Sequence, residues 1–190
     1  MKLVSPALGA VLLSTVLAAP VLAQTTVPVP SFNSVELEGG GRVAVKYGNE
    51  QQVRLIKGST EYTHFTVEQD GQLRIDACNR NCPAHYDLEV EIMTPKIEGL
   101  AISGGGAIES VGEFPAPHKL GVAIDGGGTI DARALDAEDV SAAIDGGGMI
   151  RVKAEGKLTA AIDGGGLIRY WGNPKVTQAI DGGGEVSRGD

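Results

Sequence analysis

Apolar and polar residues alternate along most of this chain with the two-residue period of β-strands. The alternation is clear in Leu88-Glu89-Val90-Glu91-Ile92, where every second side chain is aliphatic. This spacing places aliphatic side chains on one face of a strand and polar side chains on the other. Asp70-Gly71 separates two further alternating runs and predicts a hairpin turn. Only residues 132–139 have a short helical periodicity, so the pattern predicts an all-β fold.

A hexapeptide, Ala-Ile-Asp-Gly-Gly-Gly, occurs four times in the second half of the chain. Its copies begin at Ala123, Ala143, Ala161 and Ala179, and a looser copy with Ser in place of Asp begins at Ala101. A unit repeated about every 20 residues indicates a stacked array, because one unit cannot bury its apolar face alone.

The aligned copies predict the shape of one repeat. Aliphatic or small residues alternate before each triplet, as in Leu120-Gly121-Val122-Ala123-Ile124, and a second apolar position such as Ile130 follows it. Each unit is therefore a strand, a glycine corner, a second strand and a looser corner. Stacking such units gives a parallel β-solenoid, expected to be right-handed like other parallel crossovers. We expect coils from about 95 to 187, in a single domain spanning 32–190.

The glycine triplets are predicted to be structural turns. A tight corner needs positive φ, which glycine adopts at little cost, and neighbouring corners about 4.8 Å apart leave little room for side chains. The Asp before each triplet is expected to accept hydrogen bonds from the amides of its corner. The turn residues are Gly104, Gly105, Gly106, Gly126, Gly127, Gly128, Gly146, Gly147, Gly148, Gly164, Gly165, Gly166, Gly182, Gly183 and Gly184.

The start of the chain predicts export. Met1-Lys2 is followed by an uncharged apolar run and by Val21-Leu22-Ala23, which suits signal-peptide cleavage after residue 23. Residues 24–31 then predict an extended lead-in. The formal net charge of −8 argues against nucleic acid and anionic membrane as general partners. No later segment is apolar enough to span a membrane.

The two cysteines, Cys78 and Cys82, flank a short polar loop. In an exported protein this spacing favours a structural disulfide over a redox pair or a zinc site.

These elements together resemble a known family. The export signal, the strand from Phe32 to Leu37 with its glycine turn, and the run from Leu88 to Gly106 resemble the auto-transporter adhesin, head GIN domain family. The resemblance covers about Phe32 to Val186. It implies a β-solenoid similar in shape to pectin-lyase-like folds, a bacterial cell-envelope setting and a role in adhesion. It carries over no catalytic residue, and the Asp column and the cysteine pair look like departures from it.

Two surfaces are candidates for binding. The first is the Asp column, which comprises Asp125, Asp145, Asp163 and Asp181. Stacked carboxylates recruit Ca²⁺ in some repeat proteins. Structural capping of the turns is the preferred interpretation here. A stripe of basic residues on the strand after the triplet could bind an anionic polysaccharide. The preferred interpretation is a solvated sheet face whose positive charges are balanced by nearby acids. This basic stripe comprises Arg133, Arg151, Lys153, Arg169 and Trp171.

The sequence therefore predicts a non-enzymatic exported envelope protein with a binding, adhesion or structural role, in the periplasm or at the cell surface. No cofactor is expected. The alternative is a carbohydrate-active β-helix protein that binds or cleaves an anionic polysaccharide, which needs convergent acids across a cleft. The expected partners are an envelope or extracellular protein, a polysaccharide, or a second copy through the coil ends. The histidines are expected in solvated loops, and the terminal Arg188-Gly189-Asp190 is expected to fray.

Overall fold

The computed structural model describes residues 24–78 and 81–190, and the predicted signal peptide lies outside this part. Strands, turns and loops account for every described residue, without a helix, so the predicted all-β class is confirmed. Accordingly, the described residues contain no helix that could cross a membrane. The strands are β1 (Thr25–Val27), β2 (Ser34–Gly39), β3 (Arg42–Tyr47), β4 (Gln52–Lys57), β5 (His64–Val67), β6 (Gln72–Asp76), β7 (Glu89–Thr94), β8 (Gly99–Gly104), β9 (Ala107–Val111), β10 (Lys119–Gly126), β11 (Thr129–Gly146), β12 (Met149–Gly164), β13 (Leu167–Trp171), β14 (Lys175–Gly182) and β15 (Glu185–Arg188).

Parallel pairing joins the repeats in two ladders. One ladder runs β6-β2-β8-β10-β11-β12-β14, and the other runs β7-β3-β9-β11-β12-β13-β15. The long strands β11 and β12 belong to both. Equivalent repeat residues are partners, so that Ala123 pairs with Ala143 and Ile124 with Ile144. Identical residues therefore form columns along the stack.

The helical interpretation of residues 132–139 is wrong. This segment lies within β11, and Asp136 bends the chain there with a φ of 36°. Ala132, Leu135 and Ala137 are all buried, so the inward alternation gains one residue between Ala132 and Leu135. The three-residue spacings from Ala132 to Leu135 and from Ala137 to Val140 accompany register shifts between β11 and β12, and they imitate helical periodicity.

The N-terminal part departs from purely parallel pairing. Within the described residues, β1 pairs antiparallel with β4, β4 with β7, and β5 with β6. The predicted turn at Asp70-Gly71 joins β5 to β6, and Gly71 has a φ of 83°. The lead-in supplies β1, which lies along β4. The sheet is therefore mixed, with the repeats forming its parallel part.

Aliphatic columns form the core between the ladders. Ile124, Ile144 and Ile162 are each 2% exposed, whereas Ile180 in the last repeat is 39% exposed. The difference arises because a core residue is covered by the coils on both sides of it, and within the described chain Ile180 has a coil on one side.

A tyrosine and a disulfide fasten the loops beside β7. The predicted disulfide between Cys78 and Cys82 is confirmed, with its Cα atoms 6.0 Å apart. The Tyr86 hydroxyl accepts a hydrogen bond from the Ser59 amide at 2.8 Å and contacts the Thr63 hydroxyl at 2.6 Å. These contacts hold the loop between β4 and β5 against the loop that precedes β7.

Candidate functional site

The three glycines of each corner have different structural roles. In the copy that begins at Ala143, Gly146 has a φ of 117°, and a Cβ there would lie 2.5 Å from the Gly126 carbonyl oxygen. Gly148 lacks positive φ, but a Cβ there would lie 2.7 Å from the Cγ2 atom of Ile124. A Cβ on Gly147 would meet nothing within 4 Å. Backbone conformation and close packing therefore require the first and third glycines, whereas the fold leaves space at the second.

The Asp residues do not cap these corners, contrary to the sequence-based expectation. The Gly147 amide donates to the Gly126 carbonyl at 2.9 Å, and the Met149 amide donates to the Gly128 carbonyl at 2.9 Å. The preceding coil thus satisfies the corner amides. Among the described residues, no hydrogen bond or ion pair involves the carboxylate of Asp145 or of its equivalents.

The four Asp residues form an exposed column. Asp125, Asp145, Asp163 and Asp181 are partners in adjacent strands. Carboxylates placed directly opposite one another on neighbouring strands repel. In the described part of the chain, no three His, Cys, Asp or Glu side chains are grouped to hold a metal ion. Calcium at this column is the less favoured alternative from the sequence, and it stays untested.

The Asp column borders a flat surface of small residues, which we call the Ala–Asp face. A groove of about 560 Å³ runs along its alanine and aspartate columns, and a second groove of about 440 Å³ runs between the alanines and Gly121, Ser141 and Thr159. The face comprises Ala101, Ala123, Ala143, Ala161 and Ala179 with Ser103, Asp125, Asp145, Asp163 and Asp181.

The basic stripe lies on the other ladder, on the strands that follow the triplets. Arg151 pairs in register with Asp131 and with Arg169. Arg133 donates two hydrogen bonds to the Asp131 carboxylate, from Nε at 2.8 Å and from Nη2 at 2.7 Å. The guanidinium of Arg133 also lies 4.9 Å from the ring centroid of Trp171. The predicted residues are thus brought together, with an acid among them.

The charges of the basic stripe are largely paired within the chain. Burial acts to raise the pKa of Asp131, but hydrogen bonds and positive charge from Arg133 outweigh it and lower that pKa. Lys153 donates to Asp136 at 2.7 Å, which raises the pKa of Lys153. Arg169 has no ion-pair partner among the described residues. Sequence reasoning missed Asp136, because the alternating pattern gives no sign of the bend that turns it toward Lys153.

The C-terminal residues are held, contrary to the expectation that they fray. The Gly189 amide donates to the Tyr170 carbonyl at 2.8 Å, and Trp171 Nε1 donates to the Asp190 carbonyl at 3.0 Å. A Cβ on Gly189 would clash with the indole ring of Trp171. The terminal segment thus packs against one end of the basic stripe.

The histidines also differ from expectation in part. His64 begins β5 and therefore lies in a strand, while His85 is exposed in a loop. His118 lies before β10 and contacts the carboxylate of Glu138. In the part of the chain that the structure describes, the three histidines belong to no group of side chains that could hold a metal ion.

Comparison with known families identifies the family of this chain. Residues 31–118 and 116–174 match the family described as "Putative auto-transporter adhesin, head GIN domain". Because the match covers well over half of the chain, the protein belongs to this family. No curated protein matches the chain.

Three solved bacterial structures are compared with this chain. A "putative adhesin" from Bacteroides fragilis is 16% identical with a TM-score of 0.56, covering 87% of this chain and 96% of its own. A "putative lipid binding protein" from Parabacteroides distasonis is 13% identical with a TM-score of 0.44, covering 88% and 96%. A "putative cell adhesion protein" from Clostridium sporogenes is 13% identical with a TM-score of 0.37, covering 87% and 98%. At these identities, the first similarity supports the fold alone.

Proposed function

We propose that this chain is a non-enzymatic adhesion module of the bacterial envelope, exported by residues 1–23. We further propose that residues 32–190 form one domain, in which the parallel ladders wind as a right-handed β-solenoid and the antiparallel strands β4 and β5 are additions to it. In-register parallel ladders support the solenoid, and parallel crossovers are right-handed in almost all proteins. Membership of an adhesin family supports the role, and the Cys78–Cys82 disulfide supports an oxidising compartment outside the cytoplasm.

The Ala–Asp face is the proposed contact surface, because its carboxylates have no partner in the described chain. In the N-terminal part, acids on the sheet surface pair with lysine or arginine, as Glu91 does with Lys46. The unpaired column offers four negative charges at a regular spacing beside an apolar groove. An extracellular protein or glycan that carries basic groups along an extended segment complements this surface.

The carboxylates with a shifted pKa fit a non-enzymatic role. Hydrogen bonding from Lys46 lowers the pKa of Glu91, and Arg133 lowers that of Asp131. A general acid in a glycosidase needs a raised pKa. The pKa values of Glu91 and Asp131 are shifted in the opposite direction, which suits carboxylates that stay ionised in structural ion pairs.

A binding screen tests the proposal. Purified protein is applied to arrays of extracellular proteins and glycans, alongside the double variant Asp145→Asn/Asp163→Asn and the control variant Arg169→Ser. We expect the double variant to lose about tenfold or more of the affinity for bound partners, and added salt to weaken binding. Arg169→Ser should bind normally. Unchanged binding by the double variant would contradict the assignment of this face, and glycan cleavage would contradict the non-enzymatic role.

An anionic polysaccharide is the second candidate ligand, supported by Arg169. This guanidinium is exposed without an ion-pair partner in the described chain and lies on the same strand as Trp171. Arginine makes bidentate contacts with carboxylate or sulfate groups, and an indole ring stacks on sugars. The same arrays test this candidate. It is favoured if the protein binds acidic glycans, if Arg169→Ser removes that binding, and if Asp145→Asn/Asp163→Asn retains it.

A further inference from the structure

The outer edge of β14 is the largest unpaired strand edge of the repeat stack. β14 pairs with β12 on one side, and no strand of the described chain pairs with its other side. The apolar residues Val176 and Ile180 lie on this strand, and Ile180 is 39% exposed. An edge with free amides and carbonyls beside exposed apolar side chains is suited to pairing with another strand.

The sequence of β14 complements itself in the antiparallel direction. A two-fold axis through Gln178 places Lys175 opposite Asp181 of a second copy, and Val176 opposite Ile180. Each pairing occurs twice, once on either side of the axis. Opposite charges and two aliphatic side chains in directly opposed positions stabilise antiparallel strands.

The position of Gln178 also suits the centre of such a pair. It follows Val122, Ala142 and Ala160 in one inward column, and it is the polar member of that column. At a two-fold axis, two glutamine side chains face each other. Because each amide has both donors and an acceptor, the pair can form reciprocal hydrogen bonds.

A head-to-tail arrangement suits β14 less well. The strands at the N-terminal end of the described chain are β1, with three residues, and β5, with four. Either would leave about half of the eight residues of β14 unpaired. A tail-to-tail contact matches β14 with a strand of the same length.

We propose that β14 is a dimerisation strand, which pairs antiparallel with β14 of a second copy about an axis at Gln178. The aliphatic column of one copy then continues into that of the other. The Ala–Asp faces of the two copies also lie side by side, with Lys175 of each copy beside Asp181 of the other. This contact is independent of the proposed ligand and of the adhesion role.

Charge reversal at the ends of β14 tests the proposal. Sedimentation equilibrium of the full chain should show a dimer. Either Lys175→Asp or Asp181→Lys should weaken the dimerisation affinity about tenfold or more, because each places like charges opposite each other. The double variant Lys175→Asp/Asp181→Lys should restore the dimer. Within one copy Lys175 lies beside Lys157, and Asp181 lies beside Asp163. Each reversal therefore relieves repulsion inside the chain, and a retained β-sheet circular dichroism spectrum distinguishes a lost dimer from unfolding.

A cysteine at the axis gives an independent readout. The Gln178→Cys variant should form a disulfide-linked dimer under mild oxidation, because directly opposed residues lie within disulfide reach. The matched control is Thr159→Cys on β12, an exposed position one strand further from the axis, which should not cross-link. A monomer at every concentration reached would overturn the proposal. So would a dimer that all charge variants leave unchanged, or a Gln178→Cys variant that fails to cross-link.

Discussion

The N-terminal part of this chain and the Asp column of its repeats use charge in opposite ways. In the N-terminal part, residues that face each other across strands differ, so Glu36 lies beside Arg74 and Arg54 beside Glu91. In the repeats, in-register stacking puts Asp125 beside Asp145. The same geometry therefore creates ion pairs in the N-terminal part and a row of like charge at the Asp column, while the basic stripe of the repeats keeps ion pairs such as Arg151 with Asp131.

In-register repetition favours packing of aliphatic residues and disfavours stacking of charged ones. Identical aliphatic residues pack well on one another, and Ile124, Ile144 and Ile162 form a buried column as a result. Identical charged residues repel, so the charges in the columns contribute no attraction. We infer that the repeat region is stabilised mainly by its aliphatic core and glycine corners, together with ion pairs in its basic stripe. The N-terminal part adds ion pairs of its own, a tyrosine contact and a disulfide.

The largest expected effect concerns a corner of the repeats. Gly146→Ala should destabilise the protein by about 4 kcal/mol or prevent folding, because an alanine there combines positive φ with a clash against backbone. The adjacent control, Gly147→Ala, should change the free energy of unfolding by less than about 0.5 kcal/mol, because its Cβ meets open space. Chemical denaturation measures both. Equal effects at the two positions would show that the corner glycines are equivalent after all.

A smaller effect is expected from the disulfide of the N-terminal part. Cys78→Ser/Cys82→Ser removes the constraint on a short loop and should cost about 2 kcal/mol. Hydrogen exchange should show the loss of protection around β6 and β7, while β12 and β14 remain protected, because each strand depends mainly on its neighbours. Equal loss of protection in the repeats would indicate that the chain opens as one cooperative unit.

The smallest pair of effects compares the charges directly. Glu91→Gln leaves Lys46 and Arg54 without their acidic partner and should destabilise the protein by about 1 kcal/mol. Asp145→Asn removes a like charge from its column and should be neutral or stabilising by up to about 0.5 kcal/mol. Urea denaturation of both variants at low and high salt is the measurement. A destabilising Asp145→Asn would reveal a structural role for the column that its contacts do not indicate.

The pH dependence of the Glu91→Gln effect has a definite sign. Hydrogen bonding from Lys46 lowers the pKa of Glu91 below its ordinary value of 4.5. The ionised form therefore stabilises the fold above the ordinary pKa, and this contribution is lost as the pH falls through the lower pKa of the folded chain. The difference in stability between the parent protein and Glu91→Gln should accordingly be full at pH 7 and shrink in acid. A constant difference across this range would show that Glu91 acts through packing.

The strands and buried columns of the repeats were predictable from the sequence, because the two-residue period fixes which side chains face inward. Leu120, Val122 and Ile124 are buried as the alternation indicates. The antiparallel strands of the N-terminal part were not predictable to the same degree. The short strand β1 follows no repeated register, and its pairing with β4 depends on contacts distant in sequence.

The role of the Asp column could not be predicted from one repeat alone. An Asp next to a turn usually caps free amides, and in isolation each corner has such amides. In the stack, the preceding coil accepts their hydrogen bonds, as Gly126 does for Gly147. Similarly, the acid that neutralises Lys153 depends on a bend at Asp136, which the alternating pattern conceals. The expected Asp caps and the missed Asp136 share one cause. Both depend on contacts between neighbouring repeats, which the sequence of a single repeat does not show.

The stepwise pairing of the coils has a mechanical consequence. β14 is attached to the stack through β12, and β15 through β13, so the last coil can detach while the coils behind it stay intact. A force applied to the C-terminus would therefore extend the chain one coil at a time. Consecutive hexapeptides at Ala161 and Ala179 are 18 residues apart, and a fully extended chain gains about 3.5 Å per residue. Each detached coil would lengthen the extended C-terminal chain by roughly 60 Å. The array can therefore extend in steps under force before its remaining core unfolds.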